Sequence, residues 1–462
     1  MKKTMVIVAN YADPGESYGL LGPQMAATII QENTDYECIV VAVGHDFDKE
    51  QLRDHIITLG GKDRPIIGFS NIGGRPEFWD FAHELKQEGG VTILGGPQAD
   101  VDFRGEINWE RHQNRFSGVK ESFSFALHGP AEQLIPFLNS GRRQELEKIK
   151  GVHVFRGGTY QVNVRDRWSG EYLRTVNWKN LFRLGPTGLE PVTITSAQVV
   201  QQIGCPYAAR SARVSIDYPT NIHGKPFKKK GAISLDLSGC SFCDVARDKG
   251  FAGNLSLDTA VTQIRNLPED PDRRKIPFEL INERPFPRLA QLLQAIKDQG
   301  ITISEIDLVT RADWFIEDLD SFRNALERAQ RMGVKIVLSS IGFESFSNAL
   351  LRNLNKGYLV DTNLSAVTRM RQLKEEFPET FFYSSGDGAV HGFIHPTPWD
   401  SVETEKEMNR NILMYALSTD ILPTKSTPLI IHHACALADW IREWELRQDI
   451  NLNRRGSIIE WW

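Results

Sequence analysis

The sequence predicts an α/β protein built on parallel sheets, and three observations carry that expectation. Short Val- and Ile-rich runs of strand length recur along the chain. Amphipathic stretches of helical length separate them. Glycine and proline collect just after the apolar runs, where strands turn into helices. At 462 residues the chain has room for two or three domains with ample cores.

Within residues 1–140, runs at 6–9, 38–43, 65–69 and 91–94 read as strands, and 22–31, 50–59 and 77–87 as the helices between them. Such alternation makes a doubly wound parallel sheet, which binds ligands outside the carboxyl ends of its strands. Glycines gather at those ends: Gly68 to Gly74, then Gly95-Gly96-Pro97, then Gly129-Pro130. A dinucleotide fingerprint G-x-G-x-x-G is absent, which argues against a dehydrogenase-like site. Residues 141–194 are expected to hold a hairpin and a linker. The hairpin is 151–162, alternating around Gly157-Gly158, and Pro186 and Pro191 punctuate the linker.

From residue 195 the pattern restarts. Strand-like runs at 199–203, 276–281, 303–309, 335–341, 381–384 and 390–394 alternate with helical patterns at 257–266, 287–299, 318–332, 363–377 and 403–417. Repeated βα units favour a parallel barrel or part of one, with its chemistry at the carboxyl ends of the strands. The barrel is expected over 195–400, and 401–462 supplies its end and a helical extension.

A charged fraction of 24% and a hydrophobic fraction of 41% are ordinary for a soluble globular chain. The net charge of −5 argues against nucleic-acid binding; the basic run Lys225, Lys228, Lys229 and Lys230 reads as a solvated loop face. Five cysteines are too few for a disulfide framework, and the first apolar run is too short for a signal sequence or a membrane span. A reducing cytoplasm is the expected compartment.

Cys240 and Cys243, in Ser238-Gly239-Cys240-Ser241-Phe242-Cys243-Asp244-Val245, form a close-set pair, and Cys205, in Ile203-Gly204-Cys205-Pro206-Tyr207, reads as a third partner. Three thiolates suit a [4Fe–4S] cluster with one iron left open, whereas an electron-transfer cluster is closed by four. Half a zinc site and a redox dithiol are the competing readings. A second pair and a nearby His-x3–5-His are absent, and no thioredoxin-like context surrounds the pair. Cys38 falls in a buried strand pattern and reads as packing.

Gly-Cys-Pro-Tyr followed by Cys-x-Phe-Cys resembles the cluster loop of radical S-adenosylmethionine (SAM) enzymes, whose own pattern is C-x3-C-x2-C. Here 34 residues separate Cys205 from Cys240, and Asp236 stands four before Cys240, so 206–239 read as an insertion. That insertion either covers an active site or is a peripheral hairpin. Later segments resemble the same family in order: Asn282-Glu283, Thr310-Arg311-Ala312-Asp313, Gly342-Phe343-Glu344-Ser345, Asn355-Lys356-Gly357 and Gly392-Phe393-Ile394. Leu94-Gly95-Gly96-Pro97-Gln98-Ala99-Asp100 resembles the Leu-Gly-Gly-Pro-His loop of the cobalamin-binding domain that precedes many of these enzymes. His128-Gly129-Pro130-Ala131-Glu132 stands where that family carries Gly-Glu-Gly-Glu. The Asp-x-His-x-x-Gly motif that ligates cobalt elsewhere is absent, as it is in the family resembled.

The resemblance implies a Rossmann-like cobalamin-binding domain followed by a partial (β/α)6 radical SAM barrel. It implies cluster ligands Cys205, Cys240 and Cys243, and SAM contacts at Phe242, Asn282, Glu283, Arg311, Glu344 and Ser345. It implies cobalamin contacts at Ser70, Asn71, Gly73, Gly95, Gly96, Pro97, Gly129 and Glu132. Arg311 is expected to hold the SAM carboxylate in a bidentate geometry. The implied activity is methylation of an unactivated carbon through a 5′-deoxyadenosyl radical and methylcobalamin. Its partners are a small-molecule or peptide substrate and an external flavodoxin- or ferredoxin-like electron donor, with no nucleic acid and no membrane. Rearrangement, cyclisation or oxygenation is the alternative within the family, and a non-catalytic cobalamin or Fe–S sensor is the alternative outside it. Against these stand plainer roles. Glu344 suits a helix N-terminus and Arg311 a surface ion pair; His45, His55, His83 and His128 suit core or surface positions, and His432, His433 and Cys435 are either substrate or metal contacts or core residues. Trp440, Trp444, Trp461 and Trp462 suit a barrel plug or a partner surface.

Overall fold

The computed structural model describes residues 3–11, 13, 15–60, 65–70, 74–110, 112–146, 148–165, 175–245 and 250–462. The chain divides into two compact units: Met1–Gln198 with Asn266–Pro268 and Arg454–Ile458, and Val199–Arg265 with Glu269–Asn453 and Ile459–Trp462.

In the first unit β1 (Lys3–Asn10), α1 (Leu21–Asn33), β2 (Tyr36–Val43), α2 (Lys49–Gly60), β3 (Ile66–Ser70), α3 (Pro76–Gln87), β4 (Val91–Leu94), α4 (Ala99–Arg104) and β5 (Phe125–Leu127) alternate as the pattern predicts. β1 runs parallel to both β2 and β3, β3 to β4, and β4 to β5. The order β5-β4-β3-β1-β2 puts the topological switch point between β1 and β3. Every residue from Met5 to Ala9 is buried, because a central parallel strand is covered on both faces. Val6, Val8, Val41, Ile67, Phe69, Phe78 and Phe81 share the core.

Residues 141–194 do more than link. β6 (Val152–Arg156) and β7 (Thr159–Val162) extend the sheet antiparallel to β5. β8 (Leu181–Gly185) lies parallel to β2, and β9 (Gly188–Pro191) pairs back on β8, giving nine strands. The prolines that suggested a linker fit this second hairpin. Pro186 sits in its turn and Pro191 on an edge strand, where a missing N–H costs no ladder bond.

The second unit begins within β10 (Ala197–Val200) and continues with β11 (Gln202–Gly204), β12 (Ser211–Asp217), β13 (Ala232–Ser238) and β14 (Phe251–Asn254). Then α5 (Leu257–Asn266), β15 (Phe278–Ile281), α6 (Phe286–Asp298), β16 (Glu305–Thr310), α7 (Leu319–Met332), β17 (Lys335–Glu344), α8 (Asn348–Asn353) and α9 (Val360–Glu376) follow. The run closes with β18 (Phe381–Phe382), β19 (Gly392–Phe393), α10 (Val402–Met414) and α11 (Ala436–Gln448). The order β10-β15-β16-β17-β18 follows the chain, with parallel pairing from β15 to β18, and β19 pairs with the far half of β17. The single strand expected at 199–203 is broken in two. β10 belongs to this sheet, whereas β11 leaves it to pair antiparallel with β14. Among the described residues no helix is long and apolar enough to cross a membrane.

Alternation along β16 buries Ile306, Leu308 and Thr310, while Phe286, Leu289, Leu293, Phe322 and Leu326 of the covering helices are buried too. Its other face carries Glu305 and Asp307, and Glu279 of β15 lies directly opposite Asp307. Burial, with Glu305 and Glu279 nearby, pushes the Asp307 carboxyl up to about 7. The folded chain therefore holds a proton that the unfolded chain releases, and stability falls as pH rises from about 4 to about 7. Asp307→Asn should stabilise the protein by about 4 kcal/mol at pH 8, with the gain vanishing below about pH 4. Urea denaturation across that range checks it; a gain independent of pH would contradict the reading.

Candidate metal and cofactor site

The segment between Cys205 and Cys240 is a hairpin closed at its base. β12 and β13 register residue for residue from Ser211 opposite Ser238 to Asp217 opposite Ala232. At the base the Ser211 and Ser238 hydroxyls lie 2.7 Å apart, and the Gly239 N–H donates to the Arg210 carbonyl at 3.3 Å. A long sequence separation thus becomes a short distance in space. On the other side the β11–β14 pairing brings the Cys205 N–H to the Gly250 carbonyl at 3.0 Å.

The three thiols lie within electrostatic reach of one another. Charge on Cys240 disfavours ionisation of Cys205, and charge on both disfavours that of Cys243. Among the described residues the three sulfurs are not all within 4.8 Å of one another, the spread that a single ion's ligands need. Three cysteine thiols on one closed loop are the donor type of an iron–sulfur cluster or of part of a zinc site. Burial pushes the Cys243 thiol up to about 12, with Cys240 and Asp244 adding to the rise, where a reactive dithiol needs a lowered value. Asp236 takes no part: it is exposed and pairs with Arg213 across the hairpin at 3.0 Å.

The hairpin's apolar face is core. Ile216, Ile233 and Leu237 pack in one cluster with Trp399, Trp440, Trp444 and Trp461, so three of the four expected tryptophans are core residues, whereas Trp462 is 43% exposed. Lys225, Lys228, Lys229 and Lys230 are exposed, as a solvated face requires. The cysteine loop itself hangs on the turn after α8. Ser241 donates through Oγ to the Asn353 carbonyl (2.9 Å) and through its N–H to that of Leu354 (3.0 Å). Asn355 Nδ2 donates to the Gly239 carbonyl (2.7 Å), and the Tyr207 hydroxyl to the Asn355 carbonyl (2.9 Å). Asn355-Lys356-Gly357 was legible only as part of a resemblance; its work is to seat the cysteines.

Arg311, which follows β16, is 5% exposed and therefore no surface ion pair. Its Nε and Nη2 grip Asp313, each at 3.0 Å, and Nη2 also reaches the Lys356 carbonyl. Nη1 donates to Cys240 Sγ at 3.4 Å. The guanidinium lies 3.9 Å from the Tyr207 ring centre, a cation–π contact that helps hold it there. The bidentate fork expected to take a SAM carboxylate is thus filled by Asp313.

Glu344 ends β17 in left-handed backbone (φ +58°), not at a helix N-terminus. Its carboxylate accepts from Lys356 Nζ at 3.2 Å, in a space where a Cβ on Gly342 or Gly392 would come within 3 Å. Burial pulls the Lys356 ammonium down, but Tyr358, Glu344 and Cys240 together hold it above its ordinary value.

Other expected SAM contacts divide. Asn282 is buried with both ends of its amide used, donating to Gln201 Oε1 (2.7 Å) and accepting from the Arg284 N–H (2.9 Å). Ser345 is fully buried, and its hydroxyl accepts from the Ser347 N–H at 3.1 Å. These two polar residues are spent inside the fold. Glu283 is half-buried, and its charge joins burial in raising the Cys205 thiol. Phe242 is partly buried against the tryptophan core.

In the first unit the expected cobalamin residues follow the carboxyl ends of β3, β4 and β5. Ser70 ends β3, Gly95 donates its N–H to the Phe69 carbonyl (2.8 Å), and Pro97 is exposed. Gly96 and Gly129 hold left-handed backbone (φ +103° and +154°), and Glu132 opens the turn after β5. Asn71 and Gly73 lie outside the described residues. His128 is buried between Asp100 (3.3 Å) and Arg165 (3.3 Å), while burial pushes nearby His153 down to about 4. A cavity of about 640 Å³ at the ends of β1 and β2, lined by Tyr11, His45, Phe47, Gln51, Arg183 and Leu184, had no sequence signal. His432 and His433 are buried, with His432 Nδ1 3.7 Å from Asp244, and Cys38 and Cys435 are core residues. No protein-family model matches the chain, and no curated protein matches it significantly.

Breaking the buried Glu344–Lys356 pair on one side strands a charge. Lys356→Met should therefore cost about 3–5 kcal/mol in urea denaturation, and the double variant with Glu344→Gln clearly less. Equal costs for single and double variants would contradict the pairing.

Proposed function

We propose that this protein is a radical SAM enzyme whose first unit binds cobalamin, most simply a methyltransferase acting on an unactivated carbon. The observation that carries the reading is the hairpin-closed loop that draws Cys205 toward Cys240 and Cys243 beside a sheet of consecutive βα units. Three thiols suit a [4Fe–4S] cluster with one open iron. When bound, the cluster and SAM supply one-electron cleavage to a carbon-centred radical, and cobalamin supplies the methyl carrier.

The chain's own residues bind, orient and exclude water. The turn at 353–355 fixes the cysteine loop through four hydrogen bonds. Glu283, half-buried within reach of Cys205, offers a carboxylate to a cationic group of SAM. The glycine turns after β4 and β5 lie at the carboxyl ends of parallel strands, the edge at which such sheets take ligands and where a flat cofactor would approach backbone. The electron comes from an external donor protein, the substrate is a small molecule or peptide, and the compartment is a reducing cytoplasm.

Anaerobic reconstitution with iron and sulfide tests the ligand set. Wild-type protein should take up about four irons per chain. Cys205→Ala, Cys240→Ala and Cys243→Ala should each lose most of that iron, and Asp236→Asn should keep it. With SAM and a reductant the wild type should release 5′-deoxyadenosine, and cobalamin should stay with the chain through desalting. A Cys205→Ala variant with full iron content would refute the assignment; a cluster without 5′-deoxyadenosine would favour a sensor.

A further inference from the structure

The geometry points to Arg311 as a positioning residue for the cluster itself, a hydrogen-bond donor to the Cys240 thiolate that raises the cluster's reduction potential. The inference rests on the cluster reading above and departs from what the resemblance implies, which is a clamp on the SAM carboxylate. Three features favour it. The two nitrogens that would make a carboxylate fork are held by Asp313, each at 3.0 Å. The remaining nitrogen, Nη1, donates to Cys240 Sγ at 3.4 Å, within sulfur hydrogen-bond range. Tyr207 lies against the guanidinium face at 3.9 Å, and the Lys356 carbonyl accepts from Nη2, so the group has little freedom to swing toward a ligand.

The charges around the sulfurs are unequal. Cys205 feels the carboxylate of Glu283, and Cys243 that of Asp244. Cys240 instead faces Arg311, with Lys356 close behind it. A cluster held here would be polarised, with cations at one corner and carboxylates at the other two. Reduction adds an electron and so negative charge. A cationic donor on a thiolate favours the reduced form and moves the potential up.

Three chains are compared after anaerobic reconstitution: the wild type, Arg311→Lys, and the double variant Arg311→Gln with Asp313→Asn. The double variant leaves no buried carboxylate unpaired, which protects folding. Iron content, the midpoint potential without SAM from an electron-paramagnetic-resonance titration, and SAM affinity are measured. The double variant should keep its iron, show a clear negative shift in potential, and bind SAM within about twofold of wild type. Arg311→Lys, which keeps a charge, should shift less. An unmoved potential with SAM affinity weakened about tenfold or more would overturn the inference and make Arg311 the clamp. A wild-type chain that takes up no iron would overturn the cluster reading and this inference with it; a loaded cluster with unchanged potential overturns this inference alone.

Discussion

The seven-residue ladder between Ser211–Asp217 and Ala232–Ser238 is the constraint on which the candidate site depends. Closing a flexible loop of this length costs about 3 kcal/mol in chain entropy plus a constant. The ladder meets that cost during folding, helped by the burial of Ile216, Ile233 and Leu237 against four tryptophans. The segment between Cys205 and Cys240 pairs with itself, and so closes the long separation between them.

Around that loop the chain places buried charges in pairs, Arg311 with Asp313 and Lys356 with Glu344. Neither cation would survive burial alone, since an unpartnered charge in the interior costs several kcal/mol. Pairing leaves the cations close to Cys240 while the carboxylates of Glu283 and Asp244 lie near the other two thiols. The loop is thus set in an uneven field, and the unevenness is a property of the protein rather than of anything bound to it.

Much of the fold was legible. Strands buried on both faces, such as β1, and helices with one apolar face announce themselves by composition and period. The misread stretches were those where local and long-range signals part. Pro186 and Pro191 suggest a linker until an edge strand is available to hold them, and Gln202–Gly204 reads as continuous with β10 until β14 offers a better partner. The close-set cysteines stood out by residue type, whereas the partner that holds Arg311, Asp313, did not. Asn282 and Ser345 were not legible as structural, because sequence gives a polar group's identity but not the partner that uses it. The seating of the cysteine loop on Asn353–Asn355 was invisible for the same reason: it is made of backbone carbonyls, which every sequence has.

The central claim is that three thiolates share one iron–sulfur cage and leave one iron open. Mössbauer spectra of protein reconstituted with iron-57, recorded with and without SAM, test it most directly. The account predicts four cluster irons of which one alone changes its signal when SAM is added. A mononuclear iron signal, or a cluster whose irons all ignore SAM, would contradict it.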